Sequence, residues 1–233
     1  MNWFLEKQSR ARVAALLLAT IAVTGCSATA RPSVQGGVRP ATAGGAPRTS
    51  AAQARADGGG NGYSKADVEF MSGMIPHHAQ AVLIAGWAAS HGARTDVRIL
   101  CERIVVGQRD EIALMQYWLR ERGEEVPDAK ATHHKMKMNG MVMDMLMPGM
   151  LNDEQLAALD KARGSDFDRL FLEAMIGHHA GAITMVEALL ASPGAANDDM
   201  VYRFSSDVFA DQTTEIERMT KMLATVPASG HGP

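Results

Sequence analysis

The chain has 233 residues, 46% of them hydrophobic, enough to bury a substantial core in one compact domain with extra segments. A formal net charge of -3, with no basic run after the first few residues, removes the electrostatic case for nucleic acid. Two cysteines are too few for a disulfide framework, and 16 methionines against 5% aromatics point to helices rich in polarizable thioethers.

Lys7, Arg10 and Arg12 precede a short apolar run at 13–23 and then small residues, the layout of a secretory signal peptide over residues 1–25. Val23-Thr24-Gly25-Cys26 resembles a bacterial lipobox, so Cys26 is expected to start the mature chain and carry acyl groups that hold it on a membrane. Residues 26–62 are Ala, Gly, Pro, Ser, Thr and Arg with almost no large apolar side chains, and read as a disordered tether. No later segment reads as long and apolar enough to span a bilayer. With Cys26 lipidated, Cys101 has no intrachain partner and is expected to be a small core residue.

The domain at 63–227 is a repeat. Phe70 to Ala79, with Met74-Ile75-Pro76-His77-His78, recurs at an offset of 101 as Phe171 to Ala180, with Met175-Ile176-Gly177-His178-His179. Gln108 to Met115 recurs as Gln212 to Met219 at an offset of 104. Each unit is therefore a pair of segments, and the apolar spacing predicts helices over about 64–90, 95–122, 166–191 and 198–225. A short helix is expected near Asn152. The fold class is all-α, a four-helix bundle built from two repeated helical hairpins.

Met74, His77 and His78 stand at i, i+3 and i+4 on adjoining turns, and Met175, His178 and His179 repeat the cluster. Thioether with imidazole suits Cu(I), and a set richer in imidazole suits Cu(II) or Zn(II). Adjacent histidines diverge by about 100° around a helix, so one of each pair is expected inside and the other at the bundle edge. Pro76 and Gly177 stand just before the pairs, where a bend would aim them inward, although Pro76 could equally mark a helix start. Gln108, Glu111, Gln212 and Glu215 are candidates to accept the free ring N–H of a liganded His.

The segment 133–150 between the units holds His133, His134, Met136, Met138, Met141, Met143, Met145, Met147 and Met150. Around its Gly and Pro it reads as neither a sustained helix nor a clean strand, and its thioethers suit Cu(I) or Ag(I) capture. The alternative is a Met-rich strap packed over the bundle.

The paired His motifs, each followed by Gln-x-x-Glu-Ile-x-x-Met, resemble the bacterial family called domain of unknown function 305, over about 64–223 and including Met147-Pro148-Gly149-Met150. The resemblance implies a ferritin-like four-helix bundle and, because some relatives are extracytoplasmic copper-binding proteins, copper as the metal. It carries Met74, His77, His78, Met175, His178 and His179 over as site residues, and only loosely the linker methionines. The expected function is a lipid-anchored envelope protein that sequesters or delivers copper, with a metal-handling protein as a further partner and no turnover. The alternatives are a ferritin-like di-metal oxidase, which wants Glu-x-x-His where neither His pair has it, and a helical interaction module without metal.

Overall fold

The computed structural model describes residues 62–138 and 141–227. Among the described residues, five helices and one small hairpin follow in order: α1 (Lys65–Gly86), α2 (Thr95–Glu121), β1 (His134–Met138), β2 (Met141–Met145), α3 (Asp153–Lys161), α4 (Ser165–Ala191) and α5 (Asp199–Leu223). The expected signal peptide, Cys26 and tether lie outside the described residues.

Local chemistry sets the helix ends. Ser64 caps α1 in a capping box with Asp67, whose carboxylate also accepts the Ala196 amide, so one buried acid ties the start of α1 to the turn between α4 and α5. Asp198 caps α5 and accepts from the indole of Trp118 and the guanidinium of Arg122 at the end of α2. Asn152 caps the short α3. Helix α1 stops at Gly86, short of the expected Ser90, and 87–92 are turns. There the buried His91 stacks on Trp87 and bonds Asp160. Helix α1 runs through Pro76 without interruption, which overrules the reading of Pro76 as a helix start.

Helices α1 and α2 form one hairpin, α4 and α5 the other, and α1 packs on α4 between them. The core falls into two apolar clusters. One takes Met71, Met74 and Ile75 from α1, Ile112 to Leu119 from α2, Ala182 to Leu189 from α4, and Val201 to Val208 from α5. The other takes Ala81 to Ala88, Val97 to Ile104, Phe167 to Met175 and Met219 from the opposite halves of the same helices. Between them lies a buried polar layer of His77, His78, Gln108, His178, His179 and Gln212. Cys101 is buried in the second cluster, and that burial pushes its thiol up to about 12.

Two further sequence expectations change. Helix α4 is long and apolar enough, by length and composition, to cross a membrane. In this fold it is a bundle helix, with Phe171, Leu172, Met175, Val186 and Leu189 buried in the two clusters. The Met-rich segment is an antiparallel β-hairpin, in register His134–Met145, Met136–Met143 and Met138–Met141, rather than a stretch without strand character. Methionines at every second position are what a strand requires, and Asn139-Gly140 is the dipeptide favoured in two-residue hairpin turns.

Candidate functional site

The paired histidines of α1 and α4 meet in the middle of the bundle. His77 and His178 come from facing helices with ring centroids 3.8 Å apart and planes tilted by 41°. His78 and His179 lie about 100° further round their helices, with ring centroids 6.2 and 6.3 Å from their neighbours, and turn toward α2 and α5. All four side chains are fully buried. The expectation that one of each pair would sit at the bundle edge is therefore corrected. A helix flanked on two sides, by its hairpin partner and by the other hairpin, has two inward directions, and the divergence of adjacent residues fits both.

The ring nitrogens have distinct partners. His78 Nε2 is 2.6 Å from Glu111 Oε2, and His179 Nε2 is 2.6 Å from Glu215 Oε2. A carboxylate accepts, which assigns the proton to Nε2 in both rings and leaves the lone pair on Nδ1. His77 Nε2 donates to the Pro148 carbonyl at 3.0 Å, with the same consequence. The Nδ1 atoms of all four histidines are buried without a hydrogen-bond partner in the protein. Neither nitrogen of His178 has a hydrogen bond of ordinary length and angle, the His77 carbonyl being close enough only to oppose its pKa shift weakly. Burial pushes His77 down to about 3, reinforced by His78, and burial with the neighbouring His77 pushes His178 well below the usual imidazole value. Both are neutral imidazoles, the form that binds a metal.

Gln108 and Gln212 enter the same layer from α2 and α5, but neither bonds a histidine, and each leaves its amide oxygen buried and unpartnered. Of the four residues expected to orient the rings, the two glutamates do so. An unsatisfied buried polar atom costs about 1–3 kcal/mol, and a layer that concentrates several is suited to a ligand that would satisfy them. Among the described residues no three His, Cys, Asp or Glu side chains converge closely enough to hold a metal ion. Lone pairs lie in the ring plane, so the closely apposed, tilted rings of His77 and His178 would have to turn edge-on to grip an ion between them.

Met74 and Met175 are fully buried, one in each apolar cluster, so the structure divides them between the two sides of the His layer. Met141, Met143 and Met145 are exposed on the hairpin, Met147 packs against the cluster around Phe70, and Met150 is buried. Met136 and Met138 have strand positions opposite Met143 and Met141, and their side chains lie outside the described residues. His133 and His134 stand at the base of the hairpin and do not join the four core histidines; burial lowers His134 against the opposing pull of Glu69.

Two contributions escaped the sequence reading. The Pro148 carbonyl reaches His77, and the Gln80 amide both donates to the Leu151 carbonyl and accepts its N–H, at 2.9 and 2.7 Å, clamping the strap beside the His layer. The only hint in the sequence was a glutamine one turn after His77 on an otherwise apolar stretch.

Comparison with known proteins agrees with this architecture. A DUF305 protein from Streptomyces coelicolor, described as secreted, superposes with a TM-score of 0.59 at 25% identity, covering 72% of this chain and 98% of its own. CopM in its Cu(II)-bound form superposes with a TM-score of 0.53 at 27% identity, and in its Cu(I)-bound form with 0.51 at 26%, each covering 68% of this chain and 95% of CopM. Uncharacterized protein L153 of Acanthamoeba polyphaga mimivirus is 32% identical over 56 residues, 24% of this chain and 37% of that relative, so the match spans little more than a third of its length. The profile of the family Domain of unknown function (DUF305) matches residues 67–223, which include both helical hairpins, and the chain belongs to that family.

Proposed function

We propose that this protein binds copper in the envelope, with the His77, His78, His178 and His179 layer as its organised site and the Met-rich hairpin as a thioether site for Cu(I). The observation that carries the reading is a water-excluded layer of four imidazoles whose Nδ1 atoms all lack a partner in the protein. Glu111 and Glu215 supply the carboxylate that fixes the tautomer of a liganded His. CopM, similar in fold and sequence, was crystallised with Cu(I) and with Cu(II). Exposed Met141, Met143 and Met145 offer soft sulfur donors that favour Cu(I) over Cu(II). The function is binding and transfer of copper as cargo, without turnover. The lipobox-like run motivates both secretion and acylation at Cys26, and the Streptomyces relative described as secreted supports the first.

Replacing all four core histidines by Ala is expected to abolish Cu(II) binding near neutral pH and to leave part of the Cu(I) capacity; deleting 136–150 is expected to do the reverse. Competition titrations against Cu(I) and Cu(II) chelators read both, with helix content followed by circular dichroism. Because four truncations in one core layer remove much packing, the pair His77→Leu and His178→Leu provides a volume-matched second test. Unchanged Cu(II) affinity in a folded variant of either kind would overturn the assignment.

A further inference from the structure

All four core imidazoles are fully buried, so an ion that reaches them has to pass between side chains. The end of the Met-rich segment supplies a line of sulfur toward them. Met141, Met143 and Met145 occupy alternate positions of β2 and so share one face of the hairpin, and their exposure falls from 65% to 49% to 38% toward its base. His134 stands opposite Met145 in the register and has its Nδ1 buried without a partner. Met147, two residues further on, is half-buried and packs against the cluster around Phe70.

Met147 meets Met185 of α4 over Gly73 of α1. A Cβ at Gly73 would stand 2.9 Å from the methyl carbon of Met147 and 3.6 Å from that of Met185, so the space left by the missing side chain is where two thioethers converge. Gly73 lies about one helical turn before His77, and Pro148, next to Met147, accepts the hydrogen bond from His77 Nε2. A cavity of about 260 Å³ opens beside the pair, lined by Glu69, Phe70, Met147, Pro148, Thr184 and Met185 among others. The repeat departs from itself at both helical contributors: at its offset of 101, Gly73 corresponds to Ala174 and Met185 to Ile84. Packing alone is served by Ile or Leu, whereas a thioether adds a soft donor that selects Cu(I), on a side chain flexible enough to follow an ion.

We propose that Met147 and Met185 form a Cu(I) station over Gly73, through which the ion moves between the exposed hairpin methionines and the histidine layer. The station rests on the copper reading of those two sites and adds the route that joins them. The full chain in detergent, saturated with Cu(I) under reducing conditions, is mixed with an excess of a chromogenic Cu(I) chelator and followed by stopped-flow absorbance. Withdrawal is expected in two phases, a fast one from the exposed thioethers and a slow one from the core. Met185→Leu keeps the volume and removes the sulfur, and is expected to retard the slow phase about fivefold or more while leaving Cu(II) affinity by chelator competition unchanged. Met147→Leu is expected to do the same. Met71→Leu alters a buried methionine of the same apolar cluster that does not line the cavity, and is expected to leave the slow phase as it is. A single phase in the unaltered protein, or a slow phase no slower in Met185→Leu than in Met71→Leu, would overturn the station and leave copper binding standing. Failure of the unaltered protein to bind either Cu(I) or Cu(II) would overturn both.

Discussion

The proton on each buried imidazole is directed by one acceptor. Glu111 and Glu215 hold Nε2–H of His78 and His179 at 2.6 Å, so Nδ1 carries the lone pair that a metal would use. Replacing either glutamate by glutamine keeps the size but supplies an amide that can donate, which favours the opposite tautomer and puts a proton on Nδ1. The double variant Glu111→Gln, Glu215→Gln is therefore expected to weaken Cu(II) binding about 10–100-fold, measured by chelator competition, with little change in melting temperature. Equal affinity would show that the carboxylates do not orient ligands. A second consequence concerns the metal-free fold. His77, pushed down to about 3, and His178, also far below normal, stay neutral when folded, whereas unfolded histidine titrates at about 6.5. Between those values the unfolded chain takes up protons that the folded one refuses. Stability is thus fully present above about pH 6.5 and falls as the pH drops, by up to about 1.4 kcal/mol per pH unit for each of the two. Urea denaturation at pH 7.5 and 5.0 measures this, and His77→Gln, which cannot take up a proton, is expected to lose part of the slope.

Among the elements, the strap after β2 depends most on particular residues. At 147–150 it crosses α4 where Gly177 and Gly181 leave bare backbone, and Gly149 takes a φ of +79° that L side chains rarely adopt. A Cβ at Gly181 would overlap the Pro148 carbonyl, a backbone group that cannot move aside without releasing His77. Gly181→Ala is expected to destabilise the protein by about 2–4 kcal/mol by thermal denaturation, while Gly107→Ala, with open space around it and in the middle of α2, is expected to be neutral or stabilising. The helices were legible because their caps and apolar spacing act locally: Ser64, Asn152 and Asp198 announce helix starts within three residues. The hairpin was not, although methionine at alternate positions around Asn139-Gly140 is the relevant pattern. A single residue type filling both ends of the segment resembles composition bias more than alternation, and Pro148 and Gly149 blurred its end. The His–His motif was legible as a cluster, but its full burial was not. That depends on which two neighbours flank α1 and α4, a property of the assembled bundle that helical spacing alone does not determine.

For the whole molecule, the informative feature is that neither apolar cluster belongs to one hairpin. Met71, Met74 and Ile75 of α1 and Ile112, Met115, Trp118 and Leu119 of α2 share a cluster with Met185, Val186 and Leu189 of α4 and Val201, Phe204 and Val208 of α5. The second cluster is divided in the same way between Leu100 and Ile104 on one side and Phe167, Phe171 and Leu172 on the other. The capping network crosses too, from Asp67 to Ala196 and from Trp118 and Arg122 to Asp198. A fragment of residues 64–123 would keep its own helix caps but expose both apolar faces, leave His77 without the Pro148 carbonyl, and strip Trp118 of its indole acceptor. Each fully buried large side chain returned to water forfeits about 1.5–3 kcal/mol, and several such losses exceed the whole stability of a small domain. That fragment is expected to show low helix content and no cooperative unfolding by circular dichroism, and helix is expected to return when the complementary fragment of residues 147–227 is added in equal amount. A monomeric 64–123 fragment that melts cooperatively, with dispersed amide resonances, would mean that each hairpin has a core of its own and that the four-histidine layer is a junction between two folded units.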